Sequence, residues 1–237
     1  MDATRHAVVG HGDWLAARER LLAKEKEFNR LRDELSRERR ALPWERVDKP
    51  YRFAGPQGVQ TLAGLFAGRQ QLIVQHFMFD PSWNAGCKSC SFWADGYDGF
   101  VAHLAQRDVS FVVVSRAPLA KLEAFKKRMG WTFDWVSSEG SDFNADFQVS
   151  ETADEKARGQ SYYNYRVGPA FGPERPGISV FWRSDEGDVF HTYSTYSRGL
   201  DMMNAAYHYL DLVPKGRDEQ GLPYSQAWVR LHDEYTK

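Results

Sequence analysis

Both cysteines of the chain fall in one tetrapeptide, Cys87-Lys88-Ser89-Cys90, a C-x-x-C pair. Two thiols at this spacing can pass two electrons by closing a disulfide, or supply half of a zinc site. An apolar run from Leu72 to Phe79 precedes them, then a loop from Asp80 to Gly86 containing Pro81 and Asn84. Beyond them Phe92, Trp93, Tyr97, Phe100, Val101 and Leu104 recur at helical spacing, giving the order strand, turn, dithiol, helix. Residues three apart on a regular helix hold their Cβ atoms about 5 to 6 Å apart, whereas a disulfide needs about 3.5 to 4.5 Å. The first turn is therefore expected to be distorted, with Cys87 near the N-cap. Unpaired N–H groups and the helix dipole favour a thiolate there, making Cys87 the nucleophile and Cys90 the resolving thiol. Lowering a thiol pKa from about 8.5 to about 7 takes roughly 2 kcal/mol, and a helix terminus contributes only about 0.3 to 1. A second contribution is needed, from Lys88 or from a backbone N–H aimed at the sulfur.

The elements that must position the dithiol can be read on either side of it. Residues 13–40 carry Trp14, Leu21, Phe28 and Leu35 seven apart, joined by Leu31, among many charged residues. This predicts a long amphipathic helix started by Asp13 and stopped before Pro43, its stripe packed on its own domain or pairing two chains as a homodimer. Tyr51–Phe53 and Val59–Gln60 flank a Gly55-Pro56-Gln57-Gly58 turn, followed by a helical turn capped by Thr61 with Leu62, Leu65 and Phe66 inward. Val109–Val114 reads as a second buried strand, and Pro118 to Gly130 as a helix with Leu119, Leu122, Phe125 and Met129 on one side. Strand, helix, strand, helix implies a parallel βαβ core. Residues 131–172 read as an aromatic, polar insertion; 178–182 and 189–193 as an antiparallel hairpin; 200–212 as a closing helix with Met203, Tyr207 and Leu210 inward. The organisation expected is an N-terminal helical arm (1–49), an α/β domain (50–214) and a tail (215–237).

With 237 residues, 42% hydrophobic, the chain can bury a sizeable core. A formal charge of −1 gives no nucleic-acid footprint, and no apolar stretch reaches the roughly 18 residues of a membrane span. A cytoplasmic location is expected, where a lone C-x-x-C beside a strand is more often redox-active or metal-binding than structural. His6 and His11 are spaced for a metal pair but sit at the N-terminus, so no metal or organic cofactor is expected.

The strand-dithiol-helix unit, a Pro-led hairpin and a final helix together resemble the thioredoxin fold over roughly residues 50–212. The stretches HFMFDPSWNAGCKSCSFWADGYDG, VSRAPLAKLEAFKKRMGW, VSSEGSDFN and FHTYSTYSRGLDMMNAAYHYLDL are similar to a bacterial family, domain-of-unknown-function family 899, regarded as predicted dithiol-disulfide oxidoreductases. EKEFNRLRDELSRERRALPW extends the similarity into the first helix. The resemblance implies a central mixed sheet flanked by helices and a thiol-disulfide oxidoreductase acting through a mixed disulfide. Its partners would be a disulfide-containing protein or small molecule and a cellular dithiol reductant. It also implies that Pro176 stands where thioredoxins keep a substrate-positioning cis-proline. His76 falls where they keep a buried acidic proton acceptor, against the alternative of a hydrogen-bonded core histidine. Gly86 departs from the pattern, replacing the usual Trp. Tyr162, Tyr163, Tyr165, Arg166, Tyr193 and Tyr196 are read as packing rather than as a substrate groove. Two other functions share the fold. A peroxiredoxin-like peroxidase would place Pro seven and Thr or Ser three residues before its cysteine, which neither cysteine here has. A redox-inactive binding module would leave the dithiol idle.

Overall fold

The computed structural model describes residues 6–236. Helix α1 (His11–Arg40) leads into β1 (Glu45–Arg46), the hairpin β2 (Arg52–Gly55) and β3 (Gly58–Thr61), and the central strand β4 (Gln71–His76). There follow α2 (Lys88–Ala94), α3 (Val101–Ala105), β5 (Val109–Ser115), α4 (Leu119–Met129) and β6 (Asp134–Ser137). Next come α5 (Phe143–Asp146), α6 (Ala153–Arg158), and the small hairpin β7 (Gln160–Tyr163) and β8 (Arg166–Pro169). The paired strands β9 (Gly177–Arg183) and β10 (Val189–Tyr196) and the short α7 (Ala205–Leu210) close the chain.

Eight strands form one mixed sheet in the order β1-β10-β9-β4-β5-β6-β2-β3. β4, β5 and β6 run parallel, and β9 lies antiparallel to β4 on its other side, Ile73 opposite Val180. The inner order β10-β9-β4-β5, with a helical crossover after β4, is thioredoxin-like. Its central strands are rich in Val, Ile, Leu and Phe because both faces are covered, with Gln75, His76, Ser110, Ser115 and Ser179 buried among them. On one face α2, the turn that follows it and α4 pack through Cys90, Tyr97, Leu122 and Phe125 onto Phe77, Phe111, Val113 and Trp135. On the other face Phe66, Phe143 and Phe147 cover Leu72, Val74, Val112 and Val114.

Several boundaries differ from expectation for identifiable reasons. The dithiol helix does not run to Leu104: it stops at Ala94, and a 3-10 turn (Tyr97–Gly99) precedes α3. Asp95 and Asp98 lie at this break and turn outward, accepting from the Trp131 indole (2.9 Å) and from the Thr132 N–H (2.8 Å). The stretch expected to be an insertion opens with β6, which pairs with β5, so Trp131, Phe133 and Trp135 are core residues. The closing helix is only six residues long, because Asn204 caps Tyr207 N–H at 2.9 Å and restarts the chain after a 3-10 turn (Ser197–Met203) that leaves Met203 exposed. Asp13 does not cap α1: the N-cap is Gly10, and Asp13 lies in the first turn. None of the residues of α1 is buried, so its apolar stripe does not pack on the domain as expected.

Candidate active site

β4 ends at the carboxyl edge of the parallel strands, the edge where sheets of this kind hold their ligands. The chain leaves it through Phe77–Phe79, turns at Pro81 and returns to place Cys87 at the N-cap of α2, where the Cys87 N–H donates to the Met78 carbonyl (3.0 Å). Gly86 is required by close approach. A Cβ there would lie 2.7 Å from the Phe77 ring and 2.8 Å from Phe125, so the Trp usual at this place in thioredoxins has no room.

Both cysteines are free thiols; Cys87 is partly exposed and Cys90 is buried. Their proton affinities are driven apart. A hydrogen bond from the Cys90 thiol is the largest influence on Cys87; with the Ser89 and Cys90 N–H groups it outweighs burial and brings the Cys87 pKa down to about 7. Cys90 moves the other way, well above its ordinary value, because it holds the shared proton and is buried, while accepting from the Met78 N–H at 3.4 Å. The second contribution that the helix terminus required is therefore the resolving thiol together with backbone N–H groups. Lys88, offered as a source for it, instead holds its ammonium 5.8 Å from the Tyr224 ring centre.

A cavity of about 220 Å³ opens beside Cys90, walled by Met78, Trp93, Pro176 and Leu200, with Gln75, Arg198 and Asp201 as polar groups. Pro176 thus lies beside the dithiol, but the expectation of a cis peptide is corrected: no peptide bond among the described residues is cis. The segment before it is extended, with Glu174 bridging to Ser150 and Arg175 N–H donating to the Val149 carbonyl (2.7 Å), a path that the intrinsically favoured trans bond satisfies. The Pro176 carbonyl accepts from Tyr163 Oη (2.7 Å), and that oxygen accepts from the Ser197 N–H (2.9 Å), tying two cavity walls together. Tyr165 and Tyr196 likewise donate to backbone carbonyls, of Ser194 (2.9 Å) and Phe147 (3.0 Å), and serve packing.

His76 is not a proton acceptor for Cys90. It faces the opposite side of the sheet, against the Phe143 and Phe147 rings at 5.6 and 6.1 Å, with Nε2 bonded to Ser179 Oγ at 2.8 Å. Burial and the nearby His191 push its pKa down to about 3, so it remains neutral. Alternation along the strand puts Gln75, its neighbour, on the dithiol side.

One cluster escaped the sequence reading. Asp80 after β4, Arg116 after β5 and Glu174 before β9 meet at the same sheet edge: Arg116 pairs with Asp80 at 2.6 Å and with Glu174, which also accepts from Ser150 Oγ at 2.9 Å. Burial raises the Glu174 pKa to about 7 against the pull of Arg116, and its charge helps hold Cys90 protonated. The only signal in the sequence was that all three follow or precede strands at this edge. The described residues hold no group of three or more His, Cys, Asp or Glu side chains placed to bind a metal, and no helix among them is long and apolar enough to cross a membrane.

Residues 3–235 match the family described as bacterial protein of unknown function (DUF899). The chain belongs to this family. No curated protein matches the DUF899 chain. Among solved structures it is similar to Xanthomonas campestris peroxiredoxin Q, with 14% identity and a TM-score of 0.44 over 70% of this chain and 95% of the other. It is also similar to the peroxidoxin BcpB of Mycobacterium tuberculosis, at 13% identity and a TM-score of 0.44 over 69% of this chain and 94% of that one. Likenesses of this size do not carry an activity across to the DUF899 chain.

Proposed function

We propose that this protein is a thiol-disulfide oxidoreductase whose nucleophile is Cys87 and whose resolving thiol is Cys90. The observation that supports it most is the opposed displacement of the two thiols: Cys87 lowered to about 7 at a helix N-cap, Cys90 raised. Near pH 7 about half of Cys87 is thiolate, close to the optimum for an attacking thiol. The thiolate attacks one sulfur of a substrate disulfide; the Cys87–substrate bond forms as the substrate S–S bond breaks, and the departing thiolate takes a proton from solvent. Cys90 then loses its proton and attacks Cys87, releasing the second substrate thiol and leaving a Cys87–Cys90 disulfide. Two electrons pass from the dithiol to the substrate, and a cellular dithiol must return them. The apolar walls of the cavity, Met78, Trp93, Pro176 and Leu200, would hold the substrate segment next to the sulfurs.

The test is trapping. The Cys90→Ser variant is expected to accumulate a mixed disulfide with a disulfide-bonded model substrate, and Cys87→Ser is expected to form none. Equal trapping by both variants would overturn the assignment of roles. Turnover of hydrogen peroxide by the wild type, without dithiol exchange, would favour a peroxidase instead.

A further inference from the structure

The long N-terminal helix carries a surface that the domain does not use. α1 is 30 residues long, about 45 Å, and its hydrogen-bond and cation–π contacts with the domain among the described residues come from Arg39 near its C-terminal end, which meets Met202 Sδ (3.9 Å) and the Tyr193 ring (5.5 Å). Its apolar stripe lies in water: Trp14 is 54% exposed, Leu21 52%, Phe28 64%, Leu31 57% and Leu35 46%. Four of these recur every seven residues, the period of a left-handed coiled coil. With Trp14, Leu21, Phe28 and Leu35 at position a, Ala17 and Leu31 fall at d, and Lys24 and Glu38 at the other two d positions.

The charges beside this seam identify its partner. In the same frame the g positions are Asp13, Arg20, Glu27 and Glu34, and the e positions are Arg18, Glu25, Arg32 and Arg39. Two parallel helices in register bring each g residue against the e residue five positions later in the other chain. For two copies of α1 the pairs are Asp13 with Arg18, Arg20 with Glu25, Glu27 with Arg32, and Glu34 with Arg39. Every pair is opposite in charge, including the second, where the order of signs is reversed. An antiparallel pair sets e against e, and three of those four residues are arginine. We infer that α1 joins two copies of this chain as a parallel, in-register coiled coil, with Trp14, Leu21, Phe28 and Leu35 buried along the seam. Lys24 and Glu38 weaken the seam and leave direction and register to the flanking charges.

Sedimentation equilibrium of the full chain over a micromolar concentration series tests this. The wild type is expected to have twice the mass of one chain. Phe28→Glu with Leu31→Glu is expected to be monomeric, with its dithiol chemistry unchanged. Glu27→Arg replaces two attractions by two repulsions and is expected to weaken the dimer about tenfold or more, and adding Arg32→Glu is expected to restore it. A monomeric wild type, a dimer that survives the stripe substitutions, or a charge swap that fails to restore affinity would each overturn the proposal. None of these outcomes depends on what the dithiol does.

Discussion

The two faces of the central sheet each bury a group with a strongly displaced pKa, and only one is set up for chemistry. On the helical face Cys87 and Cys90 share a proton beside a cavity, and their shifts are opposed chiefly because Cys90 donates that hydrogen bond to Cys87, with the Ser89 and Cys90 N–H groups adding to the lowering of Cys87 and burial adding to the raising of Cys90. On the opposite face His76 is enclosed by Phe143 and Phe147, and its shift comes mainly from burial. A displaced pKa alone does not mark a reactive group; at Cys87 directed donors produce the shift at a partly exposed sulfur, whereas His76 is fully enclosed.

This contrast can be broken by substitution. The largest effect belongs to Gly86→Ala, which forces a Cβ into the Phe77 and Phe125 rings. Overpacking of this kind costs roughly 1–3 kcal/mol, and a lowered urea midpoint with unchanged slope would report it. Next is Cys90→Ala. Removing the thiol that donates to Cys87 should raise the Cys87 pKa above about 7. The sign follows from which form reacts: at pH 7 the thiolate fraction falls, so iodoacetamide alkylation should slow by roughly five- to tenfold and recover at higher pH. An unshifted pH midpoint would mean that the backbone N–H groups alone set the value. Smaller still is Lys88→Ala, for which the alkylation midpoint should not move. His76→Asn should leave the exchange rate unchanged, and a slowed exchange would restore a catalytic role to the opposite face.

Much of the fold was legible because its signals are local. Val109–Ser115 is a strand dominated by Val and Phe, and Pro118 and Gly130 mark both ends of α4, Gly130 in the left-handed conformation at φ +67°. β6 was hidden because only four residues, two of them polar, belong to it, and its place comes from pairing with β5. The dithiol was readable from its spacing, and its place at a helix N-cap from the run of residues around it. His76 was read as a proton acceptor for Cys90, but it falls on the opposite face, and in a strand a shift of one residue is the whole difference between the two faces. The stripe of α1 was visible as a period, but whether it packs on the domain depends on where the chain turns after Arg40. The Asp80–Arg116–Glu174 cluster assembles three separate loops, which no local pattern reports.

The central claim is that Cys87 and Cys90 form a working redox couple, and equilibration of the purified protein in glutathione buffers with thiols counted by mass spectrometry tests it most directly. The account predicts that two thiols disappear together at one potential within about −270 to −120 mV, the range of known thiol oxidoreductases. Thiols that never pair, or that are lost singly to glutathione without closing a Cys87–Cys90 bond, would contradict it.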